Sequence, residues 1–188
     1  MNKIMIAIAL AGSVTVSAYA ADNYTIDPNH TFPVFEVNHL GFTNQLGRFN
    51  KTSGKITLDM AAKSGSVDLT IETTSLDMGF SLWDEHISAD GFFNTAKFPT
   101  MTFKSHKLIF ADGKVVAAEG DFTLLGVTKP LTVSVNGFKC GDNPMNKKPM
   151  CGANISGTIK RSDFGMTKYV PAISDEVQIR VPVEAYKS

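Results

Sequence analysis

Apolar and polar side chains alternate with a period of two along much of the chain, as in Val67-Asp68-Leu69-Thr70-Ile71-Glu72, Leu131-Thr132-Val133-Ser134-Val135 and Val177-Gln178-Ile179-Arg180-Val181-Pro182-Val183-Glu184. Successive side chains of a strand point to opposite faces, so each run specifies a strand with one buried and one wet face. Residues 32–39, 55–59, 100–110, 115–124 and 153–160 are further strand candidates. Turn signals separate them: Asn29, Lys63-Ser64-Gly65, Ala111-Asp112-Gly113 and Gly126-Val127-Thr128-Lys129-Pro130. Connections of hairpin length predict an antiparallel sheet. About eight short strands with one apolar face make an all-β sandwich or a closed barrel, and periodicity alone does not choose between them. The one helix-like stretch is 81–93, where Ser81 could cap a turn carrying Leu82, Trp83, His86 and Ile87, with Phe92 and Phe93 following. Such an insertion can plug or cover one end of a barrel.

Lys3, an apolar run to Val16 and Ala18-Tyr19-Ala20 have the order of a secretory signal peptide, which assigns 1–20 to targeting and 21–188 to one mature domain. The run is about a dozen residues, against roughly 20 for a spanning helix. The first cysteine is Cys140, so no lipoprotein anchor is expected, and the expected compartment is the periplasm. Cys140 and Cys151 flank a Gly/Asn/Pro/Lys stretch that reads as a loop, and in an oxidising compartment they pair. A bond closing so short a loop contributes about 3 kcal/mol. A redox or metal pair is the weaker reading, since no Cys-x-x-Cys spacing or neighbouring histidine accompanies them.

Eighteen basic and eighteen acidic residues cancel, leaving a nucleic-acid surface without electrostatic footing. An outer-membrane barrel would also alternate, but here Asp68, Glu72, Arg180 and Glu184 occupy outward positions, where lipid would disfavour charge. The inside of such a barrel is apolar and its outside wet.

Catalytic and metal-binding patterns are sparse. Asp84-Glu85-His86 are adjacent on a helix and point to different sides, which suits a solvated face better than one acid–base site. His30, His39, His86 and His106 lack metal-ligand spacing, and no nucleophile elbow, phosphate loop or dinucleotide fingerprint occurs. Neither a catalytic residue nor a metal is expected. His39 follows Phe35 and Val37 at period two and so shares their face. It is either a core histidine bonded to a carbonyl or a polar contact at the mouth of a pocket. The 13 phenylalanines decide more: several, Phe42, Phe80, Phe92, Phe93 and Phe98 among them, sit outside alternating runs. They are either packed core or the lining and cover of a ligand cavity, since an eight-stranded barrel is of the size that packs shut or holds one small ligand.

Five strings in order extend this reading: Tyr24-Thr25-Ile26-Asp27 with His30 and Phe35-x-Val37-x-His39; Gly47-x-Phe49 with Gly54 to Asp59; Asp84-Glu85-His86-Ile87 with Phe92-Phe93-Asn94 and Phe98 to Phe103; Gly120 to Pro130; and Arg161-Ser162-Asp163-Phe164-Gly165-Met166. Together they resemble the YceI-like family of periplasmic polyisoprenoid-binding proteins over nearly the whole mature chain. The resemblance implies an antiparallel lipocalin-like barrel whose pocket takes a polyprenyl chain, such as a polyprenyl phosphate or ubiquinone, as ligand and needs no cofactor. The expected ligand-binding set is Phe35, Val37, His39, Phe42, Phe49, Leu82, Trp83, His86, Phe92, Phe93, Phe103, Arg161 and Phe164. His39, Trp83, His86 and Arg161 are the expected head-group contacts, with a structural salt bridge as the other reading of Arg161. Transient contact with a membrane or membrane protein is expected of a carrier. An enzyme acting on the lipid and a barrel packed shut by Phe and Met are the alternatives. The Cys140–Cys151 loop departs from the broader family pattern.

Overall fold

The computed structural model describes residues 21–188; the segment 1–20, expected from sequence to be a signal peptide, lies outside them. Eleven strands form one sheet: β1 (Asp22–Ile26), β2 (Val34–His39), β3 (Thr43–Phe49), β4 (Thr52–Asp59), β5 (Ser64–Glu72), β6 (Leu76–Asp77), β7 (Thr100–Ala111), β8 (Lys114–Leu124), β9 (Val127–Asp142), β10 (Pro149–Lys160) and β11 (Ile173–Lys187). All paired neighbours are antiparallel, and β1 pairs with both β4 and β11, which closes the ring. Closure decides for the barrel over the sandwich.

The eleven strands fill eight positions. Residues 34–37 of β2 lie against one half of β11 and residues 24–26 of β1 against the other, so β1 and β2 are one strand interrupted at 27–33. In the same way β3 runs on into β4 across 50–51, and β5 into β6 across 73–75, all at one level of the barrel. Threonines repair two of these breaks. The Thr31 hydroxyl donates to the Glu184 carbonyl at 3.1 Å and accepts from its amide at 3.0 Å, standing in for a missing strand residue. The Thr73 hydroxyl donates to the Phe98 carbonyl at 2.6 Å. Buried without such partners, these backbone groups would each be costly.

On the outside of the same break, His30 Nδ1 meets Asp27 Oδ2 at 2.7 Å, with Glu184 Oε2 4.0 Å away. These three side chains converge although their spacing gave no metal pattern; their contacts form a local ion pair across the strand gap. The hydrogen bond and charge of Asp27 raise the His30 pKa above its ordinary 6.5. Burial of Asp27 opposes ionisation, but the bonds from His30 and the Asn29 amide outweigh it and hold the carboxyl below 3.8. The pair therefore stabilises from above the ordinary carboxylate range up to the raised imidazole value. Its Asp27 part is lost as pH falls through the lowered value, and its His30 part as pH rises through the raised one. Asp27→Asn is expected to move the His30 midpoint, followed by NMR, to lower pH; an unchanged midpoint would show that the pair does not form.

Interior positions follow the alternation. Leu69, Ile71, Met101, Phe103, Phe122, Leu124 and Val133 are buried, while the exterior carries the ion pairs Lys104–Asp68, Lys107–Glu119, Arg180–Glu36 and Lys187–Asp22. A charged exterior is the opposite of a lipid-facing barrel wall. Among the described residues no helix is long and apolar enough to cross a membrane.

Tight turns fall where glycine tolerates positive φ: Asp112-Gly113 (φ 48° and 71°) joins β7 to β8 and Leu125-Gly126 (φ 53° and 75°) joins β8 to β9. The turn expected over 126–130 is thus confined to its first residue, and Val127 to Pro130 already belong to β9. Cys140 and Cys151 face each other in register across β9 and β10 and are bonded, the connecting loop shrinking to 143–148.

The helix α1 spans Ser81–Ser88 rather than 81–93. Phe80, not Ser81, is its N-cap and makes no side-chain cap bond. After Ser88 the chain turns, and the Phe93 amide donates to the Ile87 carbonyl at 3.1 Å, which holds Phe92 and Phe93 against the barrel end.

Candidate functional site

An apolar cavity of about 240 Å³ runs inside the barrel from the disulfide end, at Tyr24, Phe138 and Cys151, to the α1 end, at Val37, Ile87 and Phe92. Every strand but the two-residue β6 contributes residues to the wall, because alternation delivers one inward side chain every second position. Small residues make the room. Ala118 and Ala185, both buried, line the wall where larger side chains would fill it.

Three rings crowd the α1 half. Phe35, Phe49 and Phe93 stand 5.8, 5.5 and 5.1 Å apart by centroid in tilted and edge-on pairs, the geometry that aromatic quadrupoles favour. Phe35 lies directly against Gly47, where a Cβ would collide with its ring and with Met78 Sδ. Gly47→Ala is therefore expected to drive the Phe35 ring into the cavity, costing about 1–3 kcal/mol in urea unfolding and reducing uptake of an apolar dye. Unchanged stability and uptake would mean that this close approach does not shape the cavity.

Of the residues read from sequence, Phe35, Val37, Phe49, Phe92, Phe93, Phe103 and Arg161 line the cavity. The others do not. His39 is the last residue of β2, beyond Val37, and is not part of the wall. Phe42 sits past the β2 end at 87% exposure, and Leu82, Trp83 and His86 occupy the solvent side of α1. An eight-residue helix has one inward stripe, which here carries Ile87, a wall residue missed by the sequence reading. Phe164 is buried behind the wall, its ring edge-on to Phe122 at 5.5 Å.

Among the described residues Arg161 is the only charged one of the wall, and its donors are committed elsewhere. Nε donates to the Ser174 carbonyl, Nη1 to those of Met166 and Lys168, and Nη2 to that of Ile173, all at 2.9–3.0 Å. Neither sequence reading described this role: Arg161 clamps the backbone of the 161–174 segment rather than offering a salt bridge or an open fork to a head group. Burial lowers its pKa, and the nearby Asp175 carboxylate opposes that shift. Asp175 itself accepts from the Ser162 hydroxyl at 2.7 Å and the Ser162 amide at 2.8 Å, bonds that hold its carboxyl below the ordinary range. Gly165, at φ 89°, ends the short 3-10 turn Arg161–Phe164 and lets the segment fold back. The string Arg161 to Met166 thus encodes the cover of one barrel end.

The chain resembles several known proteins. It is 37% identical over 189 residues to a UPF0312 protein of Enterobacter sp. (strain 638), covering 98% of this chain and 97% of that one. It is 37% identical over 171 residues to protein YceI of Escherichia coli O157:H7, covering 89% and 88%. Among solved structures, the Campylobacter jejuni YCEI protein superposes with a TM-score of 0.68 at 30% identity, over 80% of this chain and 90% of that one. Burkholderia cenocepacia BcnA, at 24% identity and TM-score 0.73 over 85% and 98%, shares the fold. So does a polyisoprenoid binding domain from Saccharophagus degradans, at 17% and 0.64 over 88% and 98%. The YceI-like domain pattern matches residues 24–185, and the chain belongs to that family.

Proposed function

We propose that the chain binds one long isoprenoid lipid, with its tail along the barrel axis, and carries it through the periplasm without altering it covalently. The observation that carries this reading is the continuous apolar cavity inside a charged, water-facing barrel. The solved domain named as polyisoprenoid binding shares the fold and supports the ligand class. The Cys140–Cys151 bond supports an oxidising compartment.

The driving force is transfer of the tail from water, roughly 0.8 kcal/mol per CH₂, less the cost of ordering a flexible chain. That gain discriminates poorly between tails, so cavity length and the polar surroundings of its mouth select the lipid. At about 240 Å³ the cavity falls just below the ~300–1,000 Å³ of typical small-molecule sites. A long tail therefore enters by moving the Phe35, Phe49 and Phe93 rings. With its only charged wall residue bound to backbone carbonyls, the cavity offers a tail a surface and no reactive group.

Uptake of an apolar fluorescent dye by delipidated protein, with displacement by polyprenyl phosphate or ubiquinone, tests the reading. Saturable uptake with displacement is expected. A dye that never enters would favour a core packed shut, and a chemically changed lipid recovered after incubation would favour an enzyme.

A further inference from the structure

Six of the ten exposed large apolar side chains among the described residues gather at one end of the barrel: Leu40, Phe42, Phe80, Leu82, Trp83 and Tyr169. They come from three segments that touch. The Leu40 amide donates to the Ala172 carbonyl at 2.9 Å, joining the β2–β3 hairpin to the segment that Arg161 clamps. Phe92 joins that segment to α1, its ring 6.1 Å from Tyr169 and 4.9 Å from His86. Phe92 also lines the cavity, so the exposed patch continues inward as the cavity wall. Scattered exposed apolar residues are ordinary, but a cluster of this kind marks an interaction surface.

We propose that this rim docks on a neutral or zwitterionic lipid surface, with the barrel axis pointing into the bilayer interface. Three observations select that occupant. The patch is continuous with a cavity whose wall is as apolar as a lipid tail, so a tail passing between the two never meets water. Tryptophan, tyrosine and phenylalanine beside leucine are the residues that settle at the level of lipid head groups. Lys168 Nζ lies 5.0 and 5.3 Å from the Phe92 and Tyr169 ring centroids and Lys97 Nζ 5.2 Å from that of Phe98, which sets two ammonium groups among the rim aromatics, where long basic side chains can extend to head groups. The two lysines are outnumbered by Asp84, Glu85, Asp90 and Asp163, so attraction to anionic lipid does not drive the contact. Docking is therefore insensitive to salt and to anionic lipid content. This inference rests on the cavity reading for its purpose and on the rim alone for its physics.

The mature chain, its single tryptophan at Trp83 as reporter, is mixed with phosphatidylcholine vesicles, with and without phosphatidylglycerol. Co-sedimentation and a blue shift of Trp83 emission are expected in both, unchanged at high salt. Leu40→Asn and Phe80→Ser remove rim surface without harming the fold. Asparagine tolerates the positive φ of 57° at position 40, and serine is a favoured N-cap at position 80. Each is expected to weaken vesicle binding about tenfold while dye uptake in solution is retained. Binding by neither vesicle type overturns the inference, as does binding confined to anionic vesicles and released by salt. A blue shift that grows with protein concentration without lipid, and is lost in both variants, would assign the rim to a second copy of the chain. A parent protein that takes up dye but docks on neither vesicle type defeats this inference alone; a parent protein that docks but takes up no dye defeats the cavity reading alone.

Discussion

Arg161→Met is expected to lower the unfolding free energy by about 3–5 kcal/mol, the range for removing a buried charged partner from a satisfied network. Arg161 is 4% exposed and its side chain donates to four carbonyls of the 161–174 segment. Methionine fills much of the volume, so the loss isolates hydrogen bonding: each carbonyl left buried without a donor costs about 1–3 kcal/mol, and those nearest solvent recover part of it from water. Arg161→Lys keeps the charge but not the planar fork, and a single ammonium cannot satisfy Ser174, Met166, Lys168 and Ile173 together. It should recover less than half of the loss. Urea unfolding of the three proteins gives the comparison. A methionine variant within about 1 kcal/mol of the parent would mean that the segment is held mainly by Phe164 and Met166 packing rather than by the clamp.

Ala118→Phe is expected to abolish lipid loading, lowering apparent affinity at least tenfold, while the barrel remains folded. Ala118 lies in the middle of β8, between Leu108 and Val133 on the neighbouring strands, and faces the cavity. A benzyl group there has the cavity itself to occupy. Overpacking costs about 1–3 kcal/mol, offset in part by the apolar surface the ring buries. Dye titration and thermal unfolding, run side by side, separate blocking from collapse. Full affinity in a folded Ala118→Phe protein would place the ligand elsewhere.

The fold was legible because alternation was regular where strands face a wet exterior and an apolar interior, as in β5, β9 and β11. It failed where that contrast is missing. β1 is five residues long, and β3, Thr43–Phe49, points Leu46 outward and Gly47 inward, reversing the expected hydrophobicity because the Phe35 ring takes the space at Gly47. Neither was read as a strand from its own pattern. The three interruptions at one level of the barrel have no local signature, since they depend on Thr31, Thr73 and Ser75 finding partners that only the folded barrel brings near, Ser75 accepting from the Asn50 and Lys51 amides.

The site was legible in part for a related reason. Phe35, Val37, Phe49 and Phe103 sit on strands, where period two fixes direction. Phe42, Leu82, Trp83 and His86 sit in a hairpin tip and a one-sided helix, where apolar character does not say which way a side chain points. Arg161 was singled out, but a string of residues cannot display which carbonyls a folded-back segment will bring to a guanidinium. Ile87, Ala118 and Ala185 carried no signal as wall residues: what matters at the two alanines is volume left unfilled, which is visible only once the strands around them are placed.

The measurement that tests the account most directly is organic extraction of the protein purified from its native host, with mass spectrometry of the extract and the Ala118→Phe protein as control. A stoichiometric isoprenoid lipid from the parent, and none from the variant, is the expected result. A lipid-free extract from the parent, still lipid-free after incubation with membranes, would contradict it and leave a barrel whose apolar interior serves packing alone.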